Sequence, residues 1–390
     1  MALKERVALV HPFLAQLGGG EYLAFVTARI LKDRGYDVTI YTLTQVDKSK
    51  VESFLGFSVS DIDIEKLEVE LPAPLHEVMH GKQSKYLKAI LSTDLESRID
   101  ELFREYDIVF DTQADLIIPS DIAYVHFPWL APEPQDGERY AKLFERLIEP
   151  ILAKLRRAKI LTNSSWSAAY VRRYYSLFPD VVYPPVDVER IQKVCQNCEK
   201  EDFVLTISRF SPEKNVMSVV KVARKLRYMN FVIVGNAQTY ESKLVLEQIR
   251  EFMEMHGMDN VELMVNVDRS TLLKLLCKAS LYLHPMYTEH FGISVVEAMA
   301  GGAVPVVYRD GGAWYDIVSK VSLNLGYSSI DEAAYILSRL HNNKDLQEKL
   351  RNRARAVSMQ FGISSYSEKV SSIVDYVAQV KRIERKSFGI

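Results

Sequence analysis

The chain has 390 residues, which by the usual domain size of roughly 100–200 residues means two domains, or at most three. Hydrophobic residues make up 48% and charged residues 26%, the balance of a folded globular protein, which excludes a disordered tail and a fibrous or collagen-like chain. Forty-nine Lys and Arg against 51 Asp and Glu give a net charge of -2, so no whole-chain field draws it to nucleic acid, although a local basic patch can still hold phosphate or lipid.

The chain opens with a buried strand at Val7–Val10, a helix with apolar residues three and four apart from Tyr22 to Arg34, and a second strand from Asp37 to Thr42. Further strands are expected at Ile108–Phe110, Ile122–Val125 and Lys159–Thr162, with helical segments between them, as a parallel sheet covered on both faces requires. The pattern breaks around Tyr183–Asp187. A polar stretch then leads to a fresh set of strands at Phe203–Ile207, Phe231–Val234, Val261–Met264, Leu281–His284 and Val304–Val307. This predicts an α/β protein with two Rossmann-like domains, residues 1–195 and 200–363, and a last helix at about 364–390 that ties back to the first.

No apolar stretch approaches the ~18 residues of a membrane span, and Met1–Val7 runs into a strand without a signal-peptide profile, so the cytoplasm is the expected location. The three cysteines, Cys195, Cys198 and Cys277, are too few for a disulfide scaffold, and the CxxC of Cys195 and Cys198 lacks the further ligands that zinc wants; ordinary thiols are expected.

In an open parallel sheet, ligands bind beyond the carboxyl ends of the strands. After the first strand come Gly18, Gly19, Gly20 and Glu21, where bare backbone and a helix N-terminus suit an anion, although a flexible turn is an equal reading because no GxGxxG is present. After the first strand of the second half, Arg209 and Lys214 flank a proline turn and can converge on one diphosphate, Arg as a fork and Lys as a point charge. A solvated loop is the bland alternative. The sharpest signal is Glu289-His290-Phe291-Gly292-Ile293 followed by Glu297. The second glutamate falls about one turn inside the next helix, so both carboxylates can face one ligand beside free N–H groups at the helix start.

These stretches resemble the retaining glycosyltransferases of family 4, enzymes of GT-B fold. Within that group, Gly18–Glu21, Tyr124–Pro128, Asn163–Trp166 with Val182–Pro185, and Glu289–Gly292 are similar to the α-1,2-mannosyltransferases that build lipid-linked oligosaccharides for asparagine-linked glycosylation. The resemblance implies two Rossmann-like domains with parallel sheets facing a central cleft. It implies that Arg209 and Lys214 hold the diphosphate of a nucleotide-sugar donor, GDP-mannose for the similar enzymes. Glu289 would contact the transferred sugar, and Glu297 the ribose. Gly19 and Gly20 would approach diphosphate and acceptor, and His126 would stand near the sugar. With His290, Phe291, Gly292 and Ile293 these complete the expected site. Fixed cations would stabilise the leaving diphosphate, so no metal or other cofactor is expected; the DxD-like Asp61 and Asp63 read as surface residues.

The expected acceptor is a glycan or lipid-linked glycan. Between Arg139 and Lys159 stand seven Lys or Arg against two Glu, with Leu143, Phe144, Leu147, Ile148, Ile151, Leu152 and Leu155 at helical spacing. Such a segment can lie peripherally on an anionic bilayer, or its apolar stripe can pack on the sheet, and Pro150 should kink it. Two other readings fit the same residues: a nucleotide-sugar epimerase or hydrolase, and a non-catalytic sugar-nucleotide-binding protein.

Overall fold

The structure, a computed structural model, describes residues 4–68, 85–133 and 136–388. Its chain divides into two compact units, residues 1–185 with 366–390, and residues 186–365.

The first unit runs β1 (Arg6–Val10), α1 (Gly19–Asp33), β2 (Asp37–Thr42), α2 (Lys48–Leu55), β3 (Asp63–Lys66), α3 (Lys85–Glu105), β4 (Ile108–Asp111), β5 (Ile122–Val125), α4 (Gly137–Leu143), a π turn (Phe144–Ile148), α5 (Glu149–Leu155), β6 (Lys159–Thr162), α6 (Ser165–Tyr175) and β7 (Asp180–Val181). The strands form one parallel sheet in the order β3-β2-β1-β4-β5-β6-β7. β4 and β5 are buried along their whole length, as strands covered on both faces must be, which is why they read as continuous apolar runs. The order reverses between β1 and β4, the point beyond whose strand ends open parallel sheets bind their ligands.

Helix α1 begins at Gly19, three residues earlier than its periodicity suggests. Gly19 and Gly20 are therefore its first turn and not a free loop, and Gly18 has an ordinary extended φ of -121°. The segment after Arg139 also differs from expectation. Pro150 sits in the first turn of α5, where its missing N–H costs nothing, and the irregularity falls instead in the preceding π turn. Its apolar stripe belongs to the core: Phe144, Ile148, Ile151, Leu152 and Leu155 are buried among Ala123, Val125 and Ile160, with Leu143 and Leu147 packed against them. That stripe is not free to enter a bilayer.

The second unit runs α7 (Val188–Val194), β8 (Glu201–Ile207), α8 (Met217–Lys225), β9 (Asn230–Gly235), α9 (Tyr240–Met255), β10 (Val261–Val265), α10 (Arg269–Lys278), β11 (Ala279–His284), α11 (Ile293–Gly301), β12 (Val304–Tyr308), β13 (Gly326–Tyr327), α12 (Ile330–His341) and α13 (Lys344–Ser358). Its parallel sheet has the order β10-β9-β8-β11-β12-β13, with the reversal between β8 and β11. Because the units divide after Pro185, residues 186–195, assigned to the first half from sequence, lie in the second unit with α7.

The expectation of ordinary thiols is corrected here. Cys195, at the end of α7, is disulfide-bonded to Cys277 of α10, and only Cys198 is free and exposed. The bond crosses 82 residues, a pairing that the local CxxC spacing does not signal.

The last helix, α14 (Ile363–Phe388), returns its length from Tyr366 to the first unit. Tyr366, Val370 and Val374 are buried, and the Tyr366 hydroxyl lies 2.6 Å from Thr27 Oγ1. Lys381 pairs with Asp121 and Arg385 with Asp107. Among the described residues no helix is long and apolar enough to cross a membrane.

Candidate functional site

The reversal between β8 and β11 brings two loops of the second unit together. The chain leaves β8 through Ser208 and Arg209, makes a 3-10 turn at Pro212–Lys214 and enters a left-handed residue, Asn215, at φ 51°. Asn215 Nδ2 donates to the carbonyl of Pro285, just past β11, which pins this loop to its neighbour. Lys214 Nζ consequently reaches Glu289 Oε2 at 2.7 Å and Met286 Sδ at 3.0 Å.

His284, the last residue of β11, shares the same carboxylate oxygen, Nε2 to Oε2 at 3.1 Å. Its own carbonyl accepts from the Tyr327 hydroxyl. The Glu289 side chain is 13% exposed and that of Lys214 18%. Burial alone would raise the Glu289 carboxyl, but the Lys214 charge, the His284 hydrogen bond and the nearby His290 outweigh it and hold it well below the usual carboxylate range. Its backbone is fixed as well. Gly312 N donates to the Glu289 carbonyl at 2.7 Å, and a Cβ on Gly311 would stand 2.5 Å from that oxygen, so position 311 admits only glycine.

Gly292 caps α11 in a left-handed conformation, φ 104°, and turns the chain from Glu289 into the helix. Phe291 is buried edge-on against Phe361, His290 is half-buried, and Ile293 starts the helix. Glu297, one turn in, is 8% exposed, and its Oε1 accepts from Arg269 Nη2 at 2.7 Å. The same guanidinium acts on Asp187, whose carboxyl burial pushes up while Arg190 and Arg269 pull it down. Arg209 behaves differently from Lys214: its side chain is 68% exposed and, among the described residues, ion-pairs only with Glu213, at 3.6 Å. The structure thus gathers Lys214, Glu289 and His284 into one cluster, Glu297 and Arg269 into a second, and leaves the Arg209 fork open to solvent.

Gly19, Gly20 and His126 lie in the first unit, at the end of its sheet. His126 follows β5, is half-buried, and its Nε2 donates to the Thr112 carbonyl at 3.1 Å; burial lowers its pKa. A Cβ on Gly20 would stand 3.6 Å from His126 Nε2 and 3.7 Å from His11 Cε1, so the helix start rests against both rings, whereas Gly19 is exposed. His11, directly after β1, completes this group: its Nδ1 lies 3.0 Å from Thr112 Oγ1 and its Nε2 3.6 Å from Glu21 Oε1. Glu21 is buried, which alone would raise its carboxyl, but the His11 contact and the Gly18 N–H, at 2.6 Å, lower it on balance. Beneath them Asp111 accepts from the N–H groups of Gln113 and Ala114, and burial pushes its carboxyl up to about 7.

Sequence reasoning missed His284, Arg269, Asp187, His11 and Thr112. Position alone marks His11 and His284, since each sits at a strand's carboxyl end beside a reversal of strand order; Arg269 carries no such signal. Asp61 and Asp63 are exposed, and Asp61 is taken by Arg29 at 2.7 Å. Among the described residues no group of three or more His, Cys, Asp or Glu could hold a metal ion.

Residues 187–357 match the family model described as glycosyl transferases group 1. That match overturns the family 4 assignment drawn from the motifs: the segment holding Arg209, Lys214, Glu289 and Glu297 matches the group 1 model. Among curated proteins, the chain is 29% identical over 229 residues, 53% of its length, to the GDP-Man:Man(3)GlcNAc(2)-PP-Dol alpha-1,2-mannosyltransferase of Dictyostelium discoideum, and spans 45% of that protein. It is 25% identical over 425 aligned residues to the protein of the same name from Caenorhabditis elegans, covering 92% of this chain and 88% of that one. The chain spans about half the length of the Dictyostelium and mouse relatives, 45% in each.

Among solved structures, sucrose-phosphate synthase from Thermosynechococcus elongatus superposes with a TM-score of 0.69 at 12% identity, covering 97% of this chain and all of that one. HepE of Anabaena in complex with UDP gives 0.68 at 16% identity, with 95% and 100% covered. The two parallel-sheet Rossmann-like units make a GT-B fold. Fold and matched segment are both those of glycosyltransferase enzymes.

Proposed function

We propose that the chain is a retaining, nucleotide-sugar-dependent glycosyltransferase that moves mannose from GDP-mannose to a glycan or lipid-linked glycan. The observation that carries this reading is the Lys214–Glu289–His284 cluster, with Arg209 open beside it, at the strand reversal of the second unit. Lys214 and Arg209 supply positive charge for a diphosphate, Arg209 as a planar fork and Lys214 with an N–H beyond the one it gives Glu289. As the sugar C1–O bond breaks, negative charge grows on the leaving diphosphate, and these cations, with the α11 N-terminal N–H groups, stabilise it more in the transition state than before. Glu289, kept ionised by its neighbours, faces the sugar as it gains positive character. Glu297 accepts from the ribose hydroxyls.

For retention, the departing phosphate oxygen takes the proton of the acceptor hydroxyl while that hydroxyl's oxygen bonds C1 on the same face. The balance closes with the glycoside and a protonated nucleoside diphosphate. In the first unit, His126 and Gly20 are assigned to the acceptor and sugar side. The names of the similar mannosyltransferases support the donor and the lipid-linked acceptor. The same reading places the enzyme on the cytoplasmic side in peripheral contact with the membrane carrying that acceptor.

Incubating the protein with GDP-mannose, with and without a lipid-linked mannosyl acceptor, tests this. Mannose should move only when acceptor is present. Donor consumed equally without acceptor would turn the assignment to a hydrolase or epimerase.

A further inference from the structure

The outer face of α4 carries a group of charges for which the donor chemistry of the second unit has no use. Of the cations between residues 139 and 159, Lys154 pairs with Glu96, Arg156 with Glu149 at 2.8 Å and Lys159 with Asp180 at 2.5 Å. Arg139, Lys142 and Arg146 have no acidic partner among the described residues. They line one cavity of about 630 Å³ together with Tyr86 and Leu143.

Their direction is set by the core. On the inner face of the same stretch Tyr140, Phe144 and Ile148 are buried, so Arg139, Lys142 and Arg146, three and four apart, point outward on one face, with half-buried Leu143 at its edge against the core. Across the cavity Tyr86, on α3, is 41% exposed and meets Tyr140 edge-on at 5.4 Å. The nearby Lys85 is not part of the group, being held by Asp136 at 2.7 Å. Like charges at this helical spacing repel; Glu138 and Glu145 stand in the same stretch but neither forms an ion pair with the three cations, and Glu149 is taken by Arg156, so an anion in the cavity would relieve the repulsion that is left. Two guanidinium forks and an ammonium match the oxygens of a phosphate or diphosphate, and Tyr86 and Leu143 offer an apolar wall to whatever that phosphate esterifies.

We infer that Arg139, Lys142, Arg146 and Tyr86 form an anion site on the first unit that takes the phosphate or diphosphate group of the acceptor. The inference rests on the transferase reading above for the word acceptor; the site itself does not. Two sources share this chemistry, a single lipid diphosphate molecule and the headgroups of an anionic bilayer.

The test uses the full chain with saturating GDP, so that the diphosphate site of the second unit is filled. Calorimetry with farnesyl diphosphate and with farnesol is paired with sedimentation on phosphatidylcholine vesicles, with and without phosphatidylglycerol. The wild type is compared with R139Q/K142Q/R146Q, whose exposed positions leave the fold intact, and with Tyr86→Ala. Farnesyl diphosphate should bind and farnesol should not. The triple variant should lose roughly ten- to a hundredfold in affinity, with a weaker salt dependence, and Tyr86→Ala less. A loss confined to anionic vesicles assigns the phosphate to the bilayer. Equal binding of both probes by wild type and triple variant, or no binding by the wild type, overturns the site. A GDP titration run alongside separates the two readings, since failure to bind GDP refutes the donor assignment whatever the triple variant does.

Discussion

Replacing Lys214 by methionine keeps most of the unbranched side chain and removes its ammonium, charge and N–H donors together, which isolates what that group does for Glu289. In the intact protein Glu289 Oε2 accepts from Lys214 at 2.7 Å and from His284 at 3.1 Å, both side chains of the ion pair being mostly covered. Breaking a buried pair from one side costs about 3–5 kcal/mol, and the residual exposure of this one brings the expectation down to about 2–4 kcal/mol at pH 7. For a unit of this size that lowers Tm by roughly 4–16 °C.

The pH dependence follows from the sign of the shift. Glu289 is held below its ordinary range, so its contribution to stability is complete above about pH 4.5 and is lost as pH falls through the lowered value. In Lys214→Met the burial that opposed this becomes dominant and the carboxyl rises, so the variant's deficit should shrink between pH 7 and pH 5. Urea unfolding followed by fluorescence reads this, Trp314 reporting on the second unit. K214M/E289Q should recover most of the loss because no charge is left unpaired. Arg209→Ala, at an exposed position, should leave unfolding unchanged while weakening nucleoside diphosphate binding. A wild-type urea midpoint for Lys214→Met, or a deficit as large in the Glu289→Gln background as alone, would refute the argument.

The parallel strands were legible because both their faces are covered, so each reads as a short apolar run whatever its neighbours. Glu289 and Glu297 were legible for a related reason: both lie in one turn-and-helix segment, where spacing alone places them. What escaped were contacts that a second segment completes. Arg269 begins a different helix, and nothing local shows that it closes on Glu297. Cys195 has a cysteine three residues away, yet bonds one from α10. The glycine triplet read as a loop because glycine disfavours helices, but Glu21 Oε2 accepts the Gly18 N–H and the packing of Leu23, Ala24 and Phe25 carries α1 through Gly19. The stripe from Leu143 to Leu155 had the periodicity of a membrane-surface helix and of a core helix alike; only the position of the sheet decides between them.

Asp111→Asn should flatten a pH dependence in the first unit: with the buried carboxyl raised to about 7 from 3.8, its contribution is present below about pH 4 and lost as pH rises through 7, on the order of 4 kcal/mol at most, and denaturant midpoints at pH 4 and 8 show it. Transfer activity should survive EDTA, as charge neutralisation by Arg209 and Lys214 requires; abolition by chelator with rescue by Mg2+ would defeat that mechanism. The two glutamates should separate. Glu297 is assigned to the ribose and is oriented by Arg269, so Glu297→Gln should weaken GDP and intact donor alike, by roughly ten- to a hundredfold for a charge-assisted contact, and Arg269→Ala should follow it more weakly. Glu289 is assigned to the sugar alone, so Glu289→Gln should leave GDP affinity near wild type and lower kcat, because a carboxylate facing a sugar that gains positive charge acts mainly in the transition state. Calorimetry with GDP and transfer kinetics on the same variants decide it. If Glu289→Gln lost GDP affinity as severely as Glu297→Gln, the division of labour would fail, and the Lys214–Glu289 pair would be a brace for the diphosphate loop.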